Sequence, residues 1–166
     1  MMSVLLEKTS LDDLALARAF IDHEADLLDR LAYLEWLELW AQDGRYILPI
    51  DRQAADYANQ LNHIYDDASM RRQRVNRLLS GRAPSATPII RTVRTVGRVR
   101  LLETDTGALV VSSSLLIVSF KRQVHTLIAA DVTHRLIRGA DGLKIGEKRV
   151  LLINSDEPLA EMGFLP

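Results

Sequence analysis

The chain of 166 residues contains no cysteine. That excludes a disulfide framework, a Cys-based zinc site and a thiolate-held iron–sulfur cluster, and it fits a reducing cytoplasm. Aromatic residues are scarce, at 5%. Few of them stand beside basic residues, so the stacking platforms used to bind nucleic acid are missing. No apolar run reaches the roughly 20 residues that a helix needs to span a bilayer. Met1 to Lys8 lacks the basic and then apolar pattern of a signal peptide. The expectation is a cytoplasmic chain with no nucleic-acid or membrane partner. At this length a single domain over residues 1–166 is expected, with roughly two-thirds of its unfolded surface buried.

What is present is unevenly spread. The net charge is −1, but residues 1–69 hold 5 Lys/Arg against 14 Asp/Glu, while residues 70–166 hold 16 against 8. Two halves of one domain that attract each other explain this; so does a polarised surface that docks partner subunits.

The hydrophobic period divides the chain in the same way. Ser10 reads as an N-cap ahead of Asp12 and Asp13. Leu14, Arg18, Ile21, Ala25 and Leu28 then recur at helical spacing, widened by Leu16, Phe20 and Leu27. Asp29 is placed to cap a second helix, with Leu34, Leu37 and Ala41 as its seam and Tyr33, Trp36 and Trp40 beside it. Asp43-Gly44 ends that helix. Residues 45–50 read as a short strand, at an edge or a strand end because Pro49 cannot donate to a ladder. Residues 51–62 read as loop. Tyr65-Asp66-Asp67 leads into a basic helix over 69–79, closed by Gly81.

After Pro84 and Pro88 the period becomes two. Long strands are expected over 89–103, 109–122, 124–138 and 143–153. A turn at Thr104-Asp-Thr-Gly107 and another at Gly139-Ala-Asp-Gly142 make the run an antiparallel meander. Gly97 marks a bulge or bend. Arg94, Arg98 and Arg100 share a face with Val96. The strand at 109–120 is apolar on both faces: Val110, Leu116, Val118 and Phe120 on one, Leu109, Val111, Leu115 and Ile117 on the other. An antiparallel sheet with one wet face alternates apolar and polar. The second face therefore wants a cover, either another subunit or the third helix and the C-terminal tail. Helices first and sheet last give an α+β class with segregated layers.

Several of these words, in this order, resemble the small (β) subunit of aromatic-ring-hydroxylating dioxygenases, the Rieske non-haem-iron enzymes. They are Glu24-Ala-Asp-Leu-Leu-Asp29, Tyr33-Leu-Glu-Trp-Leu-Glu-Leu39, Asp43-Gly-Arg-Tyr46 running to Pro49-Ile50, Tyr65-Asp-Asp-Ala-Ser-Met70, Arg74-Val-Asn-Arg-Leu78, the Pro88…Arg91-Thr92 element and Met162-Gly-Phe-Leu165. The resemblance implies a cone-shaped α+β barrel of the nuclear transport factor 2 (cystatin-like) type, with N-terminal helices packed on a curved, mostly antiparallel sheet. It implies a β homotrimer supporting three catalytic α subunits, an α3β3 assembly. The Rieske [2Fe–2S] cluster and non-haem iron would be in the α subunit, so no cofactor is expected in this chain. The sequence departs from the family at Ile90, at Gly97-Arg98, at Ala83-Pro84-Ser85 where a tryptophan is common, and at His134 where Asp is usual.

The chemistry-bearing residues agree with a non-catalytic role. A non-haem iron centre wants two His and a carboxylate. The histidines are His23, His63, His125 and His134, and no pair has i, i+4 spacing. A competing reading uses the same fold: a stand-alone isomerase or dehydratase with His134, Asp66 and Tyr46 as an internal proton-transfer set. Against it, His134 reads as a core histidine and Asp66-Asp67 as helix caps. Trp36 and Trp40 read as core or interface anchors. Arg71, Arg72, Arg74 and Arg77 read as a solvated or subunit-facing basic face rather than an anion site.

Overall fold

The computed structural model describes residues 2–81, 89–159 and 162–166, and side chains from residue 10 onward. Pro84, Pro88 and the Ala83-Pro84-Ser85 departure lie outside the described residues. The elements run α1 (Met2–Asp29), α2 (Tyr33–Glu38), β1 (Trp40–Pro49), β2 (Asn62–Asp66), α3 (Ala68–Ser80), β3 (Arg91–Thr104), β4 (Ala108–Lys121), β5 (Val124–Gly139) and β6 (Gly142–Leu152). The fold is α+β, as the residue pattern indicated.

The strand order is β2-β1-β6-β5-β4-β3. β3 to β6 form the expected meander, every pair antiparallel. β1 joins β6 in parallel and carries β2 antiparallel on its other side. Register shifts fall in β1 between Trp40 and Arg45, in β3 after Gly97 and after Leu101, and at Arg135/Leu136 in β5. Each bulge adds twist and bend, and together they curl the sheet around α1. The bulge forecast at Gly97 is present. The left-handed residue is its neighbour Arg98, at φ 48°.

Four sequence expectations are corrected. Ser10 is not a cap, because α1 starts at Met2 and runs through it; Leu5, Leu6, Glu7 and Lys8 are good helix formers. Asp29 does not cap α2, whose N-cap is Ala32; its carboxylate instead accepts from Thr92 Oγ1 at 2.9 Å and from the Arg94 main-chain N–H at 2.8 Å. α2 ends at Glu38 and residues 40–49 are strand, so Tyr33, Trp36 and Trp40 form the buried side while Leu34 is 58% exposed. Gly44 therefore lies within β1, where an added Cβ would sit 2.7 Å from the Ile145 carbonyl oxygen of β6. Finally, Arg94 does not share a face with Arg98 and Arg100. The extra residue in the bulge flips the alternation, leaving Arg94 inside and the other two outside.

Pro49 sits at the end of β1 rather than on a sheet edge, where the β1–β2 register breaks. β2 occupies a stretch read partly as loop. α3 matches its forecast closely, with Asp67 accepting from Met70 N–H at 2.9 Å as its N-cap and Gly81 as its C-cap.

The core lies between α1, α2 and the concave side of the sheet, with Phe164 and Leu165 of the C-terminal segment closing it. Trp36, Trp40 and Tyr46 pack edge to face with ring centroids 5.3 to 5.8 Å apart. The convex side is different. Val93, Leu116, Val118 and Leu127 on adjacent strands, and Ile153 just after β6, are each 44% to 67% exposed. Neither α3 nor the described part of the C-terminal segment covers them.

Candidate functional site

The sheet register sets one row of side chains across the concave face. Asp66 pairs with Tyr46, Tyr46 with Lys148, Lys148 with His134 and His134 with Val111. The three residues singled out for proton transfer thus stand in one row, with Lys148 inserted between Tyr46 and His134. Lys148 and Glu24 are the members that sequence reasoning missed. Glu24 was hidden because the apolar-period argument does not place a carboxylate on a buried helix face. The buried stripe of α1 in fact runs Asp13, Ala17, Ile21, Glu24 and Leu28.

Glu24 comes down from α1 onto the row and is 2% exposed. Its carboxylate accepts from Trp36 Nε1 at 2.9 Å and from Lys148 Nζ at 3.0 Å, and lies 2.8 Å from His134 Nε2. Burial alone would raise its pKa. The Lys148 and His134 charges and the hydrogen bonds from His134 and Trp36 outweigh burial and hold it well below the ordinary carboxylate range. An ionised carboxylate only accepts, so His134 Nε2 carries the proton in that contact. His134 Nδ1 is buried with no partner among the described residues. Burial pulls the Lys148 ammonium below its usual pKa, against the pull of Glu24.

Tyr46 and Asp66 are committed elsewhere. The Tyr46 hydroxyl donates to the Pro166 main-chain oxygen at 2.6 Å. Burial, then the Glu24 charge, pushes its phenol well above the usual range, so it is a donor and not a base. Asp66 accepts two bonds from Arg74, at 2.6 and 3.0 Å, and does not cap α3. Arg71, also on α3, is buried. It stacks 4.0 Å from the Trp40 ring centroid, donates to the Gly44 carbonyl and has its pKa drawn down to about 10 by burial. Two of the four arginines of the basic helix are therefore spent inside the fold.

The C-terminal segment seals the cone through its backbone. Lys148 Nζ reaches the Pro166 oxygen at 3.3 Å, and Arg94 donates to the Leu165 carbonyl and to Asp29. The space left beside Glu24, His134 and Lys148 is about 20 Å³. One water fills such a volume; a substrate does not fit. Nor do these residues suit iron. Among the described residues no three His, Asp or Glu side chains converge. His63 bonds the Ser155 carbonyl and His125 packs on Phe120. With no cysteine, the ligands of a Rieske cluster are absent.

Shape and interior together define a cone of the nuclear transport factor 2 type, with an ionic cluster packed at its centre. The particular family follows from comparison. The model of the ring hydroxylating beta subunit family matches residues 23–156, and the chain belongs to that family. The small oxygenase component of the p-cumate 2,3-dioxygenase system of Pseudomonas putida is 34% identical over 134 residues, covering 78% of this chain and 73% of its own. The beta subunit of the N,N-dimethyl phenylurea N-demethylase of Sphingobium sp. (strain YBL2) is 34% identical over 116 residues, or 67% and 66% of the two chains. The crystal structure of the benzoate 1,2-dioxygenase beta subunit of Burkholderia mallei superposes with a TM-score of 0.76 at 22% identity, covering 90% of this chain and 95% of that one. That superposition establishes the shared fold.

Proposed function

We propose that this chain is the non-catalytic β subunit of an aromatic-ring-hydroxylating dioxygenase. It forms a homotrimer that supports three α subunits in the cytoplasm. The α subunits carry the Rieske cluster, the non-haem iron and the aromatic substrate, and the assembled oxidoreductase adds O2 to the ring. Family membership carries this reading. The two convex-side strands with exposed Leu116, Val118 and Leu127 support it, because an apolar surface on an otherwise charged chain calls for a subunit interface. The packing around His134 supports a non-catalytic role: a stand-alone isomerase or dehydratase needs room for a substrate there, and about 20 Å³ holds no more than one water.

Co-expression with the adjacent reading frame tests it. The expected result is a complex of equal subunit numbers by light scattering, with iron and acid-labile sulfide following the partner. A stable monomer that ignores a partner bearing the cluster ligands overturns it.

A further inference from the structure

The concave face is not filled along its whole length. Toward the β4–β5 hairpin it leaves a cavity of about 450 Å³, roofed by residues 159 and 162–164. That volume lies in the range of small-molecule sites. Its wall is apolar, with Ile128, Leu152, Leu159, Met162 and Phe164 contributing. Ser119, 5% exposed, and Thr126 add hydroxyls that bond no other described residue.

The charge at the mouth has one sign. Lys121 and Arg122 line the cavity and no described acidic side chain does. Lys121 is half-buried, yet neither cation has an ion pair or side-chain hydrogen bond among the described residues. The open space beside these two unpaired cations suits an anion. The backbone holds both cations in place. Lys121 pairs with Val124, and Arg122 and Gln123 form a two-residue turn at φ 52° and 66°.

We propose that this cavity binds a small apolar monocarboxylate, its body against Ile128, Leu152 and Phe164 and its carboxylate at Lys121 and Arg122. The site is separate from the Glu24 cluster and does not depend on the function proposed above. A neutral ligand leaves Lys121 unpaired.

Isothermal titration of the purified chain, in whatever assembly it forms, tests this with 4-isopropylbenzoate, octanoate and the uncharged 4-isopropylbenzamide. At least one of the two acids is expected to bind at one per chain, and which one distinguishes an aromatic from an aliphatic source. The amide is expected to bind at least tenfold more weakly than the aromatic acid if that acid binds, and not at all if octanoate alone binds. The double variant Lys121→Gln, Arg122→Asn should weaken the binding acid at least tenfold. Its thermal unfolding should be unchanged, since Arg122 is exposed, Lys121 has no ion pair or side-chain hydrogen bond among the described residues to lose, and Asn tolerates the left-handed turn. If the chain is soluble only with its co-expressed partner, the difference between wild-type and double-variant complexes gives the same reading. No binding of either acid, equal binding of acid and amide, or full affinity in the double variant overturns the proposal.

Discussion

On β4, Leu115 and Ile117 are buried beneath α1, while their neighbours Leu116 and Val118 are 47% and 44% exposed. Composition does not distinguish the two faces of this strand; what covers them does. The concave face meets helices from its own chain and closes on an ion cluster. On the convex face Leu116, Val118 and Leu127 stay exposed among the described residues. β3 repeats the contrast in arginines. Arg94 points inward to Asp29 and the Leu165 carbonyl, with 1% of its side chain exposed. Arg98 points outward to Asp131 at 3.4 Å, with 70% exposed. Arg94 is thus part of the fold, and Arg98 lies on a surface available to other chains.

The largest effect expected from this contrast is at Glu24. Glu24→Ala leaves Lys148 buried without a counter-charge, and urea unfolding should show a loss of about 3–5 kcal/mol. The double change Glu24→Leu, Lys148→Met removes both charges and should lose less than the single one. A loss under ~1 kcal/mol for Glu24→Ala would break the comparison. Next come the two arginines. Arg94→Ala should lose about 2 kcal/mol, because it removes a buried guanidinium and its bonds to the partly buried Asp29 carboxylate and the Leu165 carbonyl, and Arg98→Ala no more than about 0.5 kcal/mol.

The Glu24 contribution also has a pH sign. Its folded pKa lies below the unfolded value of 4.5. The stabilisation is therefore complete above pH 4.5 and lost as pH falls below it. Denaturant midpoints measured from pH 7 to 3 should decline more steeply for the wild type than for Glu24→Gln. The smallest effect on stability is expected on the convex face. Leu127→Ser should change unfolding by no more than about 0.5 kcal/mol. The same change should lower the self-association seen by sedimentation, and an unaltered mass distribution would remove Leu127 from the interface.

The meander, its turns at 104–107 and 139–142 and the bulge at Gly97 were legible because period-two patterning and turn residues are local signals. α3 was legible from its caps. The faces of α1 and α2 were less so. The buried stripe of α1 holds Asp13 and Glu24, whose partners Arg138 and Lys148 lie on β5 and β6, more than a hundred positions away. No apolar-period argument admits carboxylates before those partners are known. Trp36 and Trp40 kept helical spacing across a helix-to-strand change, so the second helix looked longer than it is. Within the candidate site, the sequence offered Tyr46, Asp66 and His134 but gave no sign that Tyr46 and Asp66 were already engaged by Pro166 and Arg74. The apolar second face of β4 was visible from alternation alone.

The parallel pairing of β1 with β6 has a kinetic consequence. Tyr46 meets Lys148 across roughly a hundred intervening residues, and the Ile145 N–H closes on the Leu39 carbonyl at 2.8 Å. Such contacts form only after a long loop closes, which slows folding. During synthesis, α1, α2 and the β1–β2 hairpin leave the ribosome before the strand that completes their sheet exists. Trp36, Trp40 and Tyr46 stay without that cover until β6 follows. The nascent N-terminal third is accordingly the stretch most in need of a chaperone.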